Sequence, residues 1–213
     1  MARLGAAAAR REIVRACRRL DLKGILAGAE GNLSARVGRR VIVTPSGRRK
    51  ADVTAASLVE TDLMGRPAKR GSRPTSELPM HLAIYHARPD VGAVVHAHPV
   101  SATGFAVARK SIPSRCLAEL PGVLGPVPLV AYRPPGSKAL GLAVARALRS
   151  ANVALLANHG AVAVGPTIDV ALQRMESLEQ AARSVVVARI LGGERNLKAA
   201  DVRALERAWK AGA

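Results

Sequence analysis

The apolar positions along the chain change their period several times, and each change marks an element. Ile13, Cys17 and Leu20 recur at helical spacing, which predicts a first helix from Ala6 to Leu20 that ends near Lys23-Gly24. Cys17 then reads as a small core residue. Next, GNLSARVGRRVIVTPSG predicts two short strands, Ser34 to Val37 and Val41 to Thr44, around a turn containing Gly38. Pro45-Ser46-Gly47 breaks the second strand. Residues 48–75 read as irregular, with a short strand around Leu58 to Thr61 and a loop at RGSRPTS. Ser76-Glu77-Leu78-Pro79 opens a helix, with Ser76 as N-cap and Pro79 tolerated in the first turn. Leu78, Leu82 and Tyr85 carry that helix to Arg88-Pro89.

Farther along, GAVVHAHP predicts a strand and SATGFAVAR a short helix. Pro113 to Tyr132 is rich in proline and glycine, with a short strand around Val127 to Ala131. Ser137 to Ala151 reads as a helix, VALLANHG as a strand and AVAVG as its hairpin partner. A long helix from Ile168 to Leu191, then Gly192-Gly193 and a last helix near Ala199 to Lys210 complete the pattern. Strands and helices alternate irregularly, and tight turns join several strand pairs. The prediction is one α/β domain over residues 1–213, with a mixed, mainly antiparallel sheet and helices packed on it. No apolar run approaches the ~18 residues of a membrane span. The weakly apolar stretch between Arg3 and Arg10 is too short for a signal peptide, so a cytoplasmic location is expected.

Composition changes this picture little. Apolar residues make up 49% of the chain and charged residues 23%, which is globular and not disordered. The formal charge of +18 raises the question of nucleic acid. Five arginines do lie between Arg10 and Arg19, but basic residues are spread through the whole chain. Only Tyr85, Phe105, Tyr132 and Trp209 are aromatic, so stacking platforms for bases are scarce. The charge is better matched to drawing in a small anion such as a sugar phosphate. Cys116 has no cysteine nearby in sequence, and both thiols read as structural.

The candidate chemistry is in the histidines. His96 and His98, two apart in a predicted strand, put both imidazoles on one face. His159 ends another apolar strand beside Gly160. Three histidines leave the fourth position of a tetrahedral Zn²⁺ open, as catalytic sites require. His81 lies one helical turn after Glu77 and could orient it, but a plain, partly buried helix histidine is the favoured reading for both His81 and His86. Glu77 itself could stabilise a helix start or act as a general base; spacing leaves the two even.

GNLSAR, TPSG, TSELPMH, VVHAHP and ANHG, in this order and at these intervals, resemble the class II aldolase/adducin family. The likeness runs from about residue 9 to 191. It implies a mixed, mainly antiparallel sheet between helical layers and a homotetramer with active sites at subunit interfaces. It also implies zinc on His96, His98 and His159, a catalytic role for Glu77, and a phosphate site at Asn32, Ser46, Gly47, Thr75 and Ser76. That set is made of amides and hydroxyls and brings no fixed charge. Family epimerases have aspartate at the Glu77 position, so the aldolase branch is favoured: cleavage of a ketose 1-phosphate of the fuculose-phosphate type to dihydroxyacetone phosphate and an aldehyde. The alternatives are an epimerase, dehydratase or decarboxylase on the same scaffold, or a non-catalytic adducin-like module. Alignment on Ile112-Pro113 puts Leu117 where a family aldolase has a proton-donating tyrosine from the neighbouring subunit. A second tyrosine of that enzyme has no clear counterpart, with Trp209 and Lys210 in its vicinity.

Overall fold

Residues 5–212 are described by a computed structural model, with side chains through Trp209. Arg3 and the Lys210 side chain, both named above, lie outside the described residues. Helix α1 (Ala6–Leu22) turns Ala9, Ile13, Ala16, Cys17 and Leu20 inward, as their spacing predicts. Burial pushes the Cys17 thiol up to about 12, against the opposing pull of Lys50. Cys17 and Cys116 are both free.

Strands β1 (Asn32–Val37) and β2 (Arg40–Val43) form the expected hairpin, and β3 (Val59–Asp62) adds to β2. With β4 (Ala93–Ala97), β5 (Leu129–Val130), β6 (Val153–Leu156) and β7 (Gly160–Gly165), they make one sheet in the order β3-β2-β1-β4-β7-β6-β5. Neighbours are antiparallel throughout except β5 and β6, which are parallel. The fold is thus a single α/β domain with the mixed, mainly antiparallel sheet that the pattern predicts.

Alternation sends the two sides of each strand into two cores. Leu33, Ala35, Val95, Ala97, Ala161 and Ala163 pack with α1, α3 (Val100–Val107) and α6 (Ile168–Ile190). Val41, Val43, Val94, Val162 and Val164 pack on the other side with α2 (Leu78–Ala87) and α5 (Lys138–Ala147). Full burial of each Val or Leu contributes about 1.5–3 kcal/mol relative to exposure, so both helical layers are held by the sheet. Two short elements were not predicted: a 3₁₀ turn at Lys50–Asp52 and α4 (Leu120–Val123), against which α7 (Ala199–Gly212) packs.

Several boundaries differ from the sequence reading: α5 ends at Ala147 and not Ala151, β1 begins at Asn32 and not Ser34, and two more bear on the site. Glu77, not Ser76, occupies the N-cap position of α2, and no side chain caps that end. Thr75 and Leu78 close a turn instead (Leu78 N–H to Thr75 O, 3.1 Å), and the exposed Ser76 stays outside the helix. Strand β6 stops at Leu156 and does not run on to His159. Ala157-Asn158-His159 form a turn in which Asn158 adopts a left-handed φ of 54° and His159 N–H donates to Leu156 O. Asparagine tolerates that conformation, so the hairpin to β7 can be tight. Among the described residues no helix is long and apolar enough to cross a membrane.

Candidate active site

Strand register assembles the site. Across β1 and β4, Asn32 pairs with His96 and Ser34 with Val94. These positions face α2, because the residues between them belong to the opposite core. His98 follows β4 with the same parity as His96, and His159 comes in from the β6–β7 turn. Gly160 makes this convergence possible: a Cβ there would lie 2.5 Å from His98 Cδ2 and 2.6 Å from Ala97 O.

The three imidazole centroids are 4.8 to 5.0 Å apart, and one donor atom from each ring falls within 4.8 Å of the others. Second partners fix two tautomers. His96 Nδ1–H donates to Ala161 O at 2.9 Å, and His98 Nδ1–H donates to the Glu30 carboxylate at 3.1 Å. Their Nε2 lone pairs therefore face each other across 3.2 Å, with Glu77 Oε2 only 2.8 Å from His96 Nε2. Two lone pairs and a carboxylate oxygen converge favourably only around positive charge, a proton or a metal ion. At Zn–N bonds of about 2.0–2.1 Å, tetrahedral ligands sit roughly 3.4 Å apart, which the observed separation fits. Glu77 Oε1, 3.5 Å from His159 Nε2, is buried without a hydrogen-bond partner. The donor set and this orphaned oxygen fit a divalent cation. Burial pushes His159 down to about 4, with His96 adding to the effect, so its imidazole is neutral as a ligand must be.

Glu77 is anchored from below. Burial alone would raise its pKa, yet His96, the Asn32 hydrogen bond and His159 together hold the carboxyl well below the usual range. Asn32 Nδ2 donates to Glu77 Oε2 at 2.9 Å. Asn32 Oδ1 must then face His81 Nε2, 2.5 Å away, which has to carry the proton. Burial drives His81 to about 3, so the ring is neutral and Nδ1 is bare. Ser34 Oγ, at 2.6 Å, donates to that nitrogen and accepts in turn from Tyr85 OH at 2.7 Å. Burial raises the Tyr85 pKa and keeps this donor protonated. The chain Tyr85–Ser34–His81–Asn32–Glu77 therefore has a single polarity. His81 is no plain helix histidine: it is fully buried and reaches Glu77 through Asn32, not directly. His86 is a plain helix histidine, exposed and not partly buried as expected, and bonded to Leu63 O.

All five candidate phosphate residues line one cavity of about 170 Å³ together with Glu77, His98 and His159. A bridge between Pro45 and Pro74 brings TPSG beside PTSE. Ser46, Gly47 and Ser76 are exposed, whereas Asn32 and Thr75 are buried. The Ser46 N–H is committed to Arg73 O, which leaves the Gly47 amide and the hydroxyls. Asn32 keeps one amide hydrogen beyond the one given to Glu77. Leu117 is half-buried against the α1/α3/α6 core. Sequence reasoning passed over Glu30 and Lys50, which line the same cavity, and Ser34 and Tyr85. The acidic residue directly before GN was the one legible signal among them.

Three imidazoles and a carboxylate at the end of the central strands of a mixed sheet, opening into a polar cavity, form a donor set of the kind that holds a divalent cation. The chain belongs to the family described as class II aldolase and adducin N-terminal domain, whose model matches residues 11–186. It is 33% identical over 158 residues to a 5-methylthioribulose-1-phosphate/5-deoxyribulose-1-phosphate aldolase of Escherichia coli O45:K1, covering 74% of each chain. It is also 33% identical to an L-fuculose phosphate aldolase of Methanococcus maripaludis, covering 81% of this chain and 93% of the relative. A solved L-fuculose 1-phosphate aldolase superposes with a TM-score of 0.88 at 28% identity, covering 95% and 96% of the two chains. The Thermus thermophilus enzyme of that name gives 0.79 at 28% identity, over 89% and 98%.

Proposed function

We propose that the chain is a zinc-dependent aldolase that cleaves a ketose 1-phosphate to dihydroxyacetone phosphate and an aldehyde. The supporting observation is that one carboxylate, Glu77, touches the three-histidine cluster and also lines the cavity of the candidate phosphate set. The relatives' names agree on a ketose phosphate, of the fuculose or 5-substituted ribulose type.

His96, His98 and His159 would hold the divalent cation, which would supply Lewis-acid polarisation of the substrate's carbonyl oxygen. Asn32, Ser46, Gly47, Thr75 and Ser76 hold the phosphate, so that binding energy remote from the reacting bond fixes its position. In the condensation direction the ionised Glu77 takes a proton from C3 of dihydroxyacetone phosphate, and the electron pair left on C3 attacks the aldehyde carbon. In cleavage the C3–C4 pair returns to C3 and Glu77 gives the proton back. Asn32 keeps the carboxylate aimed through its amide hydrogen. Leucine at position 117 transfers no proton, so the proton on the aldehyde oxygen is exchanged with water or with another residue of a homotetramer whose sites lie between subunits.

Metal analysis of purified protein should find about one zinc per chain, the count of one three-histidine site. Glu77→Gln should retain the metal and lose dihydroxyacetone phosphate release. Full turnover by that variant, or unchanged zinc in both His96→Ala and His98→Ala, would overturn the proposal.

A further inference from the structure

Lys50 lies in the wall of the same cavity, and no step above uses it. It opens the 3₁₀ turn after the TPSG loop and is only 1% exposed. Its Nζ donates to Ala29 O at 2.7 Å and to Arg48 O at 2.8 Å. These carbonyls take two of three N–H bonds, and no carboxylate of the described residues forms an ion pair with it. The two acidic residues of the cavity are turned elsewhere: Glu77 to His96 and His159, Glu30 to His98. Burying an ammonium without a counter-ion is costly, and burial does lower the Lys50 pKa. The candidate phosphate groups beside it carry no charge, so the buried ammonium has no ion-pair partner on the cavity wall.

We propose that Lys50 is the charge partner of the substrate phosphate, pairing its ammonium with the dianion at the cavity wall. Its carbonyl contacts also join the segment before Asn32 to the loop holding Ser46 and Gly47. The proposal rests on reading the cavity as a phosphate site. A lysine that merely staples two loops would look similar at rest, and the two roles differ in how they respond to ligand charge.

Isothermal titration with methyl phosphate and methyl sulfate at pH 8 separates them, because the two probes share a shape while only the phosphate is a dianion. Lys50→Gln keeps a donor for the loop carbonyls and removes the charge. It should weaken methyl phosphate by about 10- to 100-fold, the worth of one hydrogen bond to a charged group, and methyl sulfate by much less. Lys50→Arg should keep most of the preference for phosphate, and it decides the matter if the glutamine variant fails to fold. Equal weakening of both anions, or loss of the preference in Lys50→Arg, leaves Lys50 a loop staple. Unchanged binding in Lys50→Gln puts it out of the anion's reach. Failure of the wild-type protein to bind methyl phosphate would remove the phosphate reading itself, whatever the variants do.

Discussion

Ser34 is the joint of the buried hydrogen-bond chain, and its removal makes a sharp prediction about how costs combine. Ser34 and His81 are fully buried and Tyr85 nearly so. In Ser34→Ala, His81 Nδ1 loses its donor and Tyr85 OH loses its acceptor, at distances now 2.6 and 2.7 Å from Oγ. Each orphaned buried group costs roughly 1–3 kcal/mol, so Ser34→Ala should destabilise by about 2–6 kcal/mol. Tyr85→Phe is milder. Ser34 still donates to His81 and loses only an accepted bond, a net cost of about 0.5–1.5 kcal/mol. In the double variant the phenol is no longer stranded beside alanine. Its cost should therefore fall below that of Ser34→Ala alone, with about 1–3 kcal/mol recovered. The assay is thermal unfolding of metal-free protein at one fixed concentration, where each kcal/mol moves the midpoint by roughly 2–4 °C. If the double variant loses the sum of the two single losses, the hydroxyls are not coupled and the assigned polarity is wrong.

Three further outcomes follow from the site. Gly160→Ala should keep the fold but lose zinc on metal analysis, because its Cβ needs the space of His98; wild-type zinc content would show that His98 is not held there. Glu30→Gln should weaken zinc by about 10- to 100-fold in a chelator competition, as loss of a carboxylate behind a histidine ligand does, and equal affinity would make Glu30 a bystander. The third concerns pH. His81 is depressed to about 3 when folded, so the unfolded chain binds its proton first and stability falls as pH drops from about 6.5 towards 3, by a little over about 1 kcal/mol per unit at most. His81→Gln should flatten that part of the acid-unfolding profile of metal-free protein; an unaltered slope refutes the burial argument.

Helix α1, the β1–β2 hairpin, β4 and α6 were legible because each carries its apolar pattern within a few consecutive residues, bounded by turn residues. The 3₁₀ turn at Lys50 was not legible, since KAD after two arginines has no periodicity and the Lys50 side chain is held by carbonyls at Ala29 and Arg48. Within the site, the three histidines could be read from strand parity and the His159-Gly160 turn, whereas the even choice for Glu77 was tipped towards catalysis only by the family likeness. His81 was misjudged for a related reason. Helical spacing pointed it at Glu77, but the partner that satisfies it belongs to β1, 49 residues earlier in the chain. Long-range register decides that contact, and no local pattern reports it.

Strand β1 shows how that register and the site depend on each other. Asn32-Leu33-Ser34-Ala35 alternates polar and apolar residues although all four are buried, so the polarity does not face solvent. Leu33 and Ala35 supply the α1/α3/α6 core, while Asn32 and Ser34 meet His81 and Tyr85 of α2. A slip of one residue against β4 would exchange the faces, burying two polar groups among aliphatic side chains and leaving His81 without partners. The hydrogen bonds that aim Glu77 thus also discriminate against the wrong pairing. Asn32 then sits directly across from His96 in the only register that satisfies both cores, and the carboxylate reaches the imidazoles as a consequence of how the sheet closes.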